Sequence, residues 1–117
     1  MNYLDNDYLI PVILGNEKQV VSAARTVYDK TGIRPHLFST KPSLAQRLAC
    51  RVHKMSVPAD HIILLELCSF AEKNDAKGSL LLIYTDEYSQ FICNHSGDVE
   101  SRYVTVSAHD LVNSLEE

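Results

Sequence analysis

Two short apolar runs constrain this chain more than anything else in it. Tyr8-Leu-Ile-Pro-Val-Ile-Leu14 stops at Gly15-Asn16, and Ser79-Leu-Leu-Leu-Ile-Tyr84 stops at Thr85-Asp86-Glu87-Tyr88. Each is near-continuously apolar rather than alternating, as expected of a parallel strand covered on both faces. Each is followed at once by helical periodicity. Repeated strand–helix units of this length predict an α/β fold: a Rossmann-like open, mostly parallel sheet of about five strands with helices on both faces.

The remaining segments fit that frame. Asn16 reads as the N-cap of a helix running to about Thr31, with Val20, Ala24 and Val27, and also Val21 and Tyr28, at helical spacing. Gly32 supplies its stop. A strand near Pro35–Ser39 leads into the loop Thr40–Ser43 and a short helical or irregular stretch through Ala49. Arg51–Val57 reads as a weaker strand. Pro58 and Asp60 open a long helix with Ile63, Leu67, Phe70 and Ala71 on one stripe. Asp86 reads as the cap of a helix that turns Tyr88, Phe91 and Ile92 inward and closes near Gly97. Arg102–Val106 completes the strands, and Ser107 caps a last helix carrying Leu111, Val112 and Leu115. The 117 residues, 45% of them hydrophobic, form one domain, 1–117, large enough to bury a core without staples.

Composition excludes several classes. No apolar stretch approaches the roughly 18–20 residues of a membrane helix, so no membrane partner is expected. The acidic start Met1–Asp7 is no signal peptide. Cys50, Cys68 and Cys93 make an odd count without a C-x-x-C, and each lies in or beside an apolar pattern, which suits small buried side chains in a reducing cytoplasm. His36, His53, His61, His95 and His109 show no metal-ligand spacing, so no metal site is expected. The net charge of −4 argues against a nucleic-acid partner. Charge is nonetheless unevenly spread. Between Asp29 and Asp60 there is no carboxylate, while Lys30, Arg34, Lys41, Arg47, Arg51 and Lys54 all fall there. That run is either a solvated face or an electropositive wall for an anion or an acidic partner domain.

Ligands of open α/β sheets bind beyond the carboxyl ends of the strands, where helix N-termini leave backbone N–H groups free. Gly15, Asn16, Thr85, Asp86 and Tyr88 should therefore share one rim, joined by Ser39, Thr40 and Lys41 after the second strand. The chemistry there is unspecified by motif. Gly15 has no second or third glycine after it, which argues against a dinucleotide turn, and no Gly-Lys-Ser/Thr occurs for a phosphate loop. Asp86 and Glu87, as helix neighbours, point in different directions and make no acid/base pair.

Four stretches together resemble the N-terminal, pre-ATP-grasp domain of ATP-dependent carboxylate–amine ligases, the group that includes D-aspartate ligases. These are Ile10–Gly15, Val21-Ser-Ala-Ala-Arg25 with Tyr28 and Gly32-Ile33, Ser39–Ser43, and Leu81–Tyr88 with Phe91-Ile92. Thr85 stands where that family commonly has glycine. The resemblance implies a domain at the start of a longer ligase, next to an ATP-grasp domain of the same polypeptide. Gly15, Asn16, Thr40, Lys41, Thr85, Asp86 and Tyr88 would contact a small amino-acid or carboxylate substrate. The domain itself would hold no cofactor and no catalytic residue, because ATP and Mg2+ belong to the ATP-grasp module that forms the acyl phosphate. The alternative is a stand-alone α/β small-ligand-binding or protein-interaction module. A receiver domain is disfavoured, since Gly15-Asn16 and Val57-Pro58 lack the acidic residues that fold needs.

Overall fold

A computed structural model describes residue 4 and residues 8–57 and 59–115. Strands β1 (Leu9–Leu14), β2 (His36–Ser39), β3 (Arg51–Lys54), β4 (Ser79–Tyr84) and β5 (Val104–Ser107) form one parallel sheet in the order β3-β2-β1-β4-β5. The helices are α1 (Gln19–Thr31), α2 (Leu44–Ala49), α3 (Asp60–Asn74), α4 (Ser89–Asn94), α5 (Ser96–Glu100) and α6 (Ala108–Leu115). The two apolar runs of the sequence are the inner pair β1 and β4, in register from Leu9↔Ser79 to Leu14↔Tyr84.

The sheet is buried on both faces because alternate strand residues meet different helices. Val12, Leu14, Phe38, Leu80 and Leu82 pack with Ile63, Leu67 and Phe70 of α3, Phe91 and Ile92 of α4 and Val99 of α5. Leu9, Ile13, Leu37, Leu81, Ile83 and Val106 pack with Val20, Ala23, Ala24 and Val27 of α1 and Leu111 of α6. Tyr103 ties the second half to the first, its hydroxyl donating to the Leu67 carbonyl at 2.7 Å.

Pro11 sits inside a central strand without breaking it. Gly15 N–H donates to the Phe38 carbonyl, so by the two-residue period the missing donor at 11 faces the β2 side. There the pairing begins only at Val12↔His36, so little is lost.

Several expected boundaries move. β3 ends at Lys54 rather than Val57, although Met55 N–H still bonds to the Ser39 carbonyl. β5 starts at Val104, because Arg102 and Tyr103 close a turn onto Val99. Gly97 lies within α5 instead of ending a helix, and the one positive φ among the described residues is that of Gly32, which ends α1. Asn16 is not the cap of α1, which starts after Lys18 with no side-chain cap. Asp86 caps nothing either; Asp86–Tyr88 form a 3-10 turn ahead of α4. Tyr28 faces solvent and Cys93 is exposed, while Cys50 is buried and Cys68 partly so. Ser107 does cap α6, accepting from the Asp110 N–H. Pro58 lies outside the described residues, and α3 opens at Asp60 after Ala59.

Gly78 is required by space. A Cβ there would overlap the Tyr8 carbonyl, whose oxygen accepts from Ser79 N–H at 2.9 Å at the head of the β1–β4 pair. At Gly97 nothing stands in the way. Gly78→Ala should therefore cost about 2 kcal/mol in urea denaturation, whereas Gly97→Ala should be neutral or stabilise by about 0.5 kcal/mol.

Candidate functional site

The order β3-β2-β1-β4-β5 reverses direction between β1 and β4, which makes the carboxyl ends of those strands the switch point where open sheets place ligands. The loops after β1, β2 and β4 meet there, and one side chain joins them. The Asn16 carbonyl oxygen Oδ1 accepts from the Ser39 hydroxyl and from Thr40 N–H at 2.9 Å. Its Nδ2 donates to the Tyr88 hydroxyl at 3.1 Å and to Glu87 at 3.4 Å. Asn16 N–H also donates to the Glu87 carboxylate. An asparagine suits this place because its amide offers acceptor and donors on opposite sides.

Gln46 holds the same loop from below. It is buried, completes a capping box with Ser43, and its Nε2 donates to the carbonyls of Asn16 and Glu17 at 3.1 and 3.2 Å. Among the described residues the buried polar side chains are Ser39, Gln46 and Thr85, all at this end of the sheet. None leaves a buried side-chain polar atom unpaired. Buried polar groups of this kind are retained only when bonded, and here their bonds serve one rim.

The residues expected at the rim are all brought there, in different roles. Gly15 is buried, and a Cβ on it would overlap the Thr85 side chain, so the glycine admits a neighbouring loop rather than lying open to a ligand. Thr85 is fully buried; its N–H bonds to the Leu14 carbonyl and its hydroxyl donates to Glu87 at 3.3 Å. Asp86 is exposed and exchanges two bonds with Gln19, each 3.1 Å. Thr40 and Lys41 turn their backbone N–H groups to Asn16, and Lys41 is exposed. Tyr88 is buried with its hydroxyl on Asn16. Burial first, then the Glu87 carboxylate, raises its phenol above the ordinary range, against the Asn16 bond.

Beside this network opens a cleft of about 320 Å³. Its polar wall is Asn16, Asp60, Glu87, Gln90 and Asn94, and its apolar floor is Ile63, Tyr88 and Phe91. Two carboxylates and three amides line the space, and His95 pairs with Asp60 at 3.2 Å. Such a wall favours an ammonium group and can hydrogen-bond a polar backbone. Asp60 and Glu87 were missed as site residues in the sequence. Asp60 starts the helix after β3, so its place in the strand–helix alternation was the available signal.

Among the described residues no three His, Cys, Asp or Glu side chains come together as a metal would need, and the rim has a single glycine. Cys50, pushed up to about 11 by burial against the opposing pull of Arg34, is no nucleophile.

No family model, curated protein or solved structure matches this chain.

A second cluster lies away from the rim. His36 and His53, on neighbouring strands β2 and β3, share a hydrogen bond of 3.0 Å and pack among Phe38 and Phe70. Burial, then His53 and Arg51, lowers His36 to about 4, and burial lowers His53 against the pull of Glu66. Both are therefore neutral in the folded protein near pH 7. Between about pH 6.5 and 4 the unfolded chain binds more protons at His36, so stability falls as pH falls through that window. The loss should be about 1–2 kcal/mol once solvent screening is allowed for. Urea midpoints measured against pH should show it, and His36→Phe should flatten the profile.

Asn16→Ala should release three loops at once. Amide exchange at Thr40 should accelerate by at least about tenfold, while that of Leu82 in the sheet centre stays within about twofold.

Proposed function

We propose that this chain is the N-terminal substrate-site domain of an ATP-dependent carboxylate–amine ligase and is not catalytic alone. What carries the reading is the acid-walled cleft at the β1–β4 switch point, built around Asn16. In such enzymes ATP activates a carboxylate as an acyl phosphate, which an amine then attacks. The residues of this chain would serve the amine side of that exchange.

Glu87 is the central group. Its two carboxylate oxygens are fixed by Asn16 and Thr85, so it meets an incoming ammonium without rearranging. Asp60 supplies a second negative charge from the α3 side, and Gln90 and Asn94 offer donors and acceptors for the rest of an amino-acid ligand. Ile63, Tyr88 and Phe91 exclude water beneath it. The phosphate chemistry falls to an ATP-grasp module of the same polypeptide. The same cleft would serve, as the second reading, a stand-alone α/β module that binds a small amine or a protein.

The test is ATP consumption by the full-length gene product, assayed against amino acids and peptides. Amino-acid-dependent turnover supports the ligase reading; a gene product ending at Glu117 that binds amines without turnover supports the module. In an active enzyme, Glu87→Ala should raise KM for the amine substrate at least about tenfold and leave KM for ATP within about twofold. The 117-residue chain by itself should show no ATP turnover.

A further inference from the structure

Helix α2 is patterned inside out. Its one glutamine in the middle, Gln46, is 3% exposed, while Leu44 and Leu48 are 74% and 73% exposed. Four residues apart, those leucines stand on one face of the helix. Tyr28 of α1, 59% exposed, lines a groove of about 460 Å³ together with Leu48, and Leu44 extends the same helix face beyond it. Ala24, Leu48 and Ala49 give that groove an apolar lining, and Arg25, Arg34 and Asp29 flank it. Arg34 is held in place by donating to the Arg47 carbonyl at 2.7 Å.

A helix that buries an amide and presents leucines conflicts with its own folding preference unless the leucines have another use. Tyrosine, arginine and leucine around an apolar groove are also the composition of a protein-binding surface. Charge narrows the occupant. Arg25 and Arg34 line the groove against the single carboxylate Asp29, Arg47 stands beside Leu48 in α2, and neither ion pair among the described residues involves any of these arginines. A second copy docked by a two-fold axis would set these cations against themselves. A phosphate or carboxylate alone would leave the leucines uncovered.

We propose that the α1–α2 groove docks an acidic amphipathic helix of another protein, with apolar side chains over Leu44, Leu48 and Tyr28 and carboxylates over the arginines. The groove shares no lining residue with the cleft at the rim. It is therefore a surface separate from the cleft, and the inference stands apart from the ligase reading.

The probe is a labelled helical peptide of about 16 residues with leucines at i, i+3, i+4 and i+7 and glutamates elsewhere. Its controls are a scrambled peptide of the same composition and a lysine-for-glutamate version. Binding is read by fluorescence anisotropy and mapped by amide chemical shifts. The acidic amphipathic peptide should bind with shifts confined to residues 24–34 and 44–51, and weaken as salt rises. Leu44→Ser with Leu48→Ser should weaken it by roughly tenfold or more. Both side chains are exposed, so that double variant keeps its fold, which an unchanged urea midpoint verifies. Arg34→Glu with Arg47→Glu should reverse the preference toward the lysine peptide. Equal binding of all three peptides, no binding, or shifts centred on the rim would overturn the proposal. So would a dimer in sedimentation that the leucine substitutions abolish, because the occupant would then be a second copy.

Discussion

The pairing of β1 with β4 is the constraint from which the rest of the molecule is hung. Six consecutive residue pairs join two strands that are buried on both faces, and the ladder runs on for one residue, with Thr85 N–H bonded to the Leu14 carbonyl. β1 holds β2 on its other edge by the same device, Gly15 N–H to Phe38. Because every strand is parallel, fixing this register fixes the height at which each strand-end loop emerges. The rim is the place where those heights agree. Gly15 and Thr85 come so close there that neither could carry a larger neighbour, and Asn16 spans what remains.

Much of this was legible in the sequence. The near-continuous apolar runs marked β1 and β4 as interior strands, and period-3.6 stripes marked the buried faces of α1, α3 and α4. The gathering of Gly15, Asn16, Thr40, Lys41, Thr85, Asp86 and Tyr88 at one end follows from the strands being parallel. What was not legible depended on contacts distant in the chain. Asn16 has the composition of a helix cap, and local reasoning assigns it that role. Its actual partners lie more than twenty residues away, and at seventy-odd for Glu87 and Tyr88. Tyr28 fits the α1 stripe by spacing yet lies one step round the helix from the buried face. Gly97 looked like a stop because glycine often is, but nothing at that position demands a positive φ.

The histidine pair and the cleft illustrate two uses of polar groups in one sheet. His36 and His53 turn one ring nitrogen each to the other among aromatic rings at the β2–β3 edge. Asp60 and Glu87 are arranged the other way: Asp60 is held by His95 and Glu87 by Asn16 and Thr85, and both line the open cleft. Proximity of titratable groups is thus a poor guide to chemistry unless the free side of each is known.

Helix α2 reverses the ordinary map of mutational tolerance. Along it, hydropathy would mark Leu44 and Leu48 as the positions to protect and Gln46 as open to change. The bonds say the opposite. Gln46 satisfies its own helix start and two carbonyls of the β1 loop, so an apolar side chain there would remove three bonds, two of which tie α2 to that loop. The leucines hold nothing in the folded chain. Natural variation along this helix should therefore be widest at its most hydrophobic residues, unless something outside the chain restrains them.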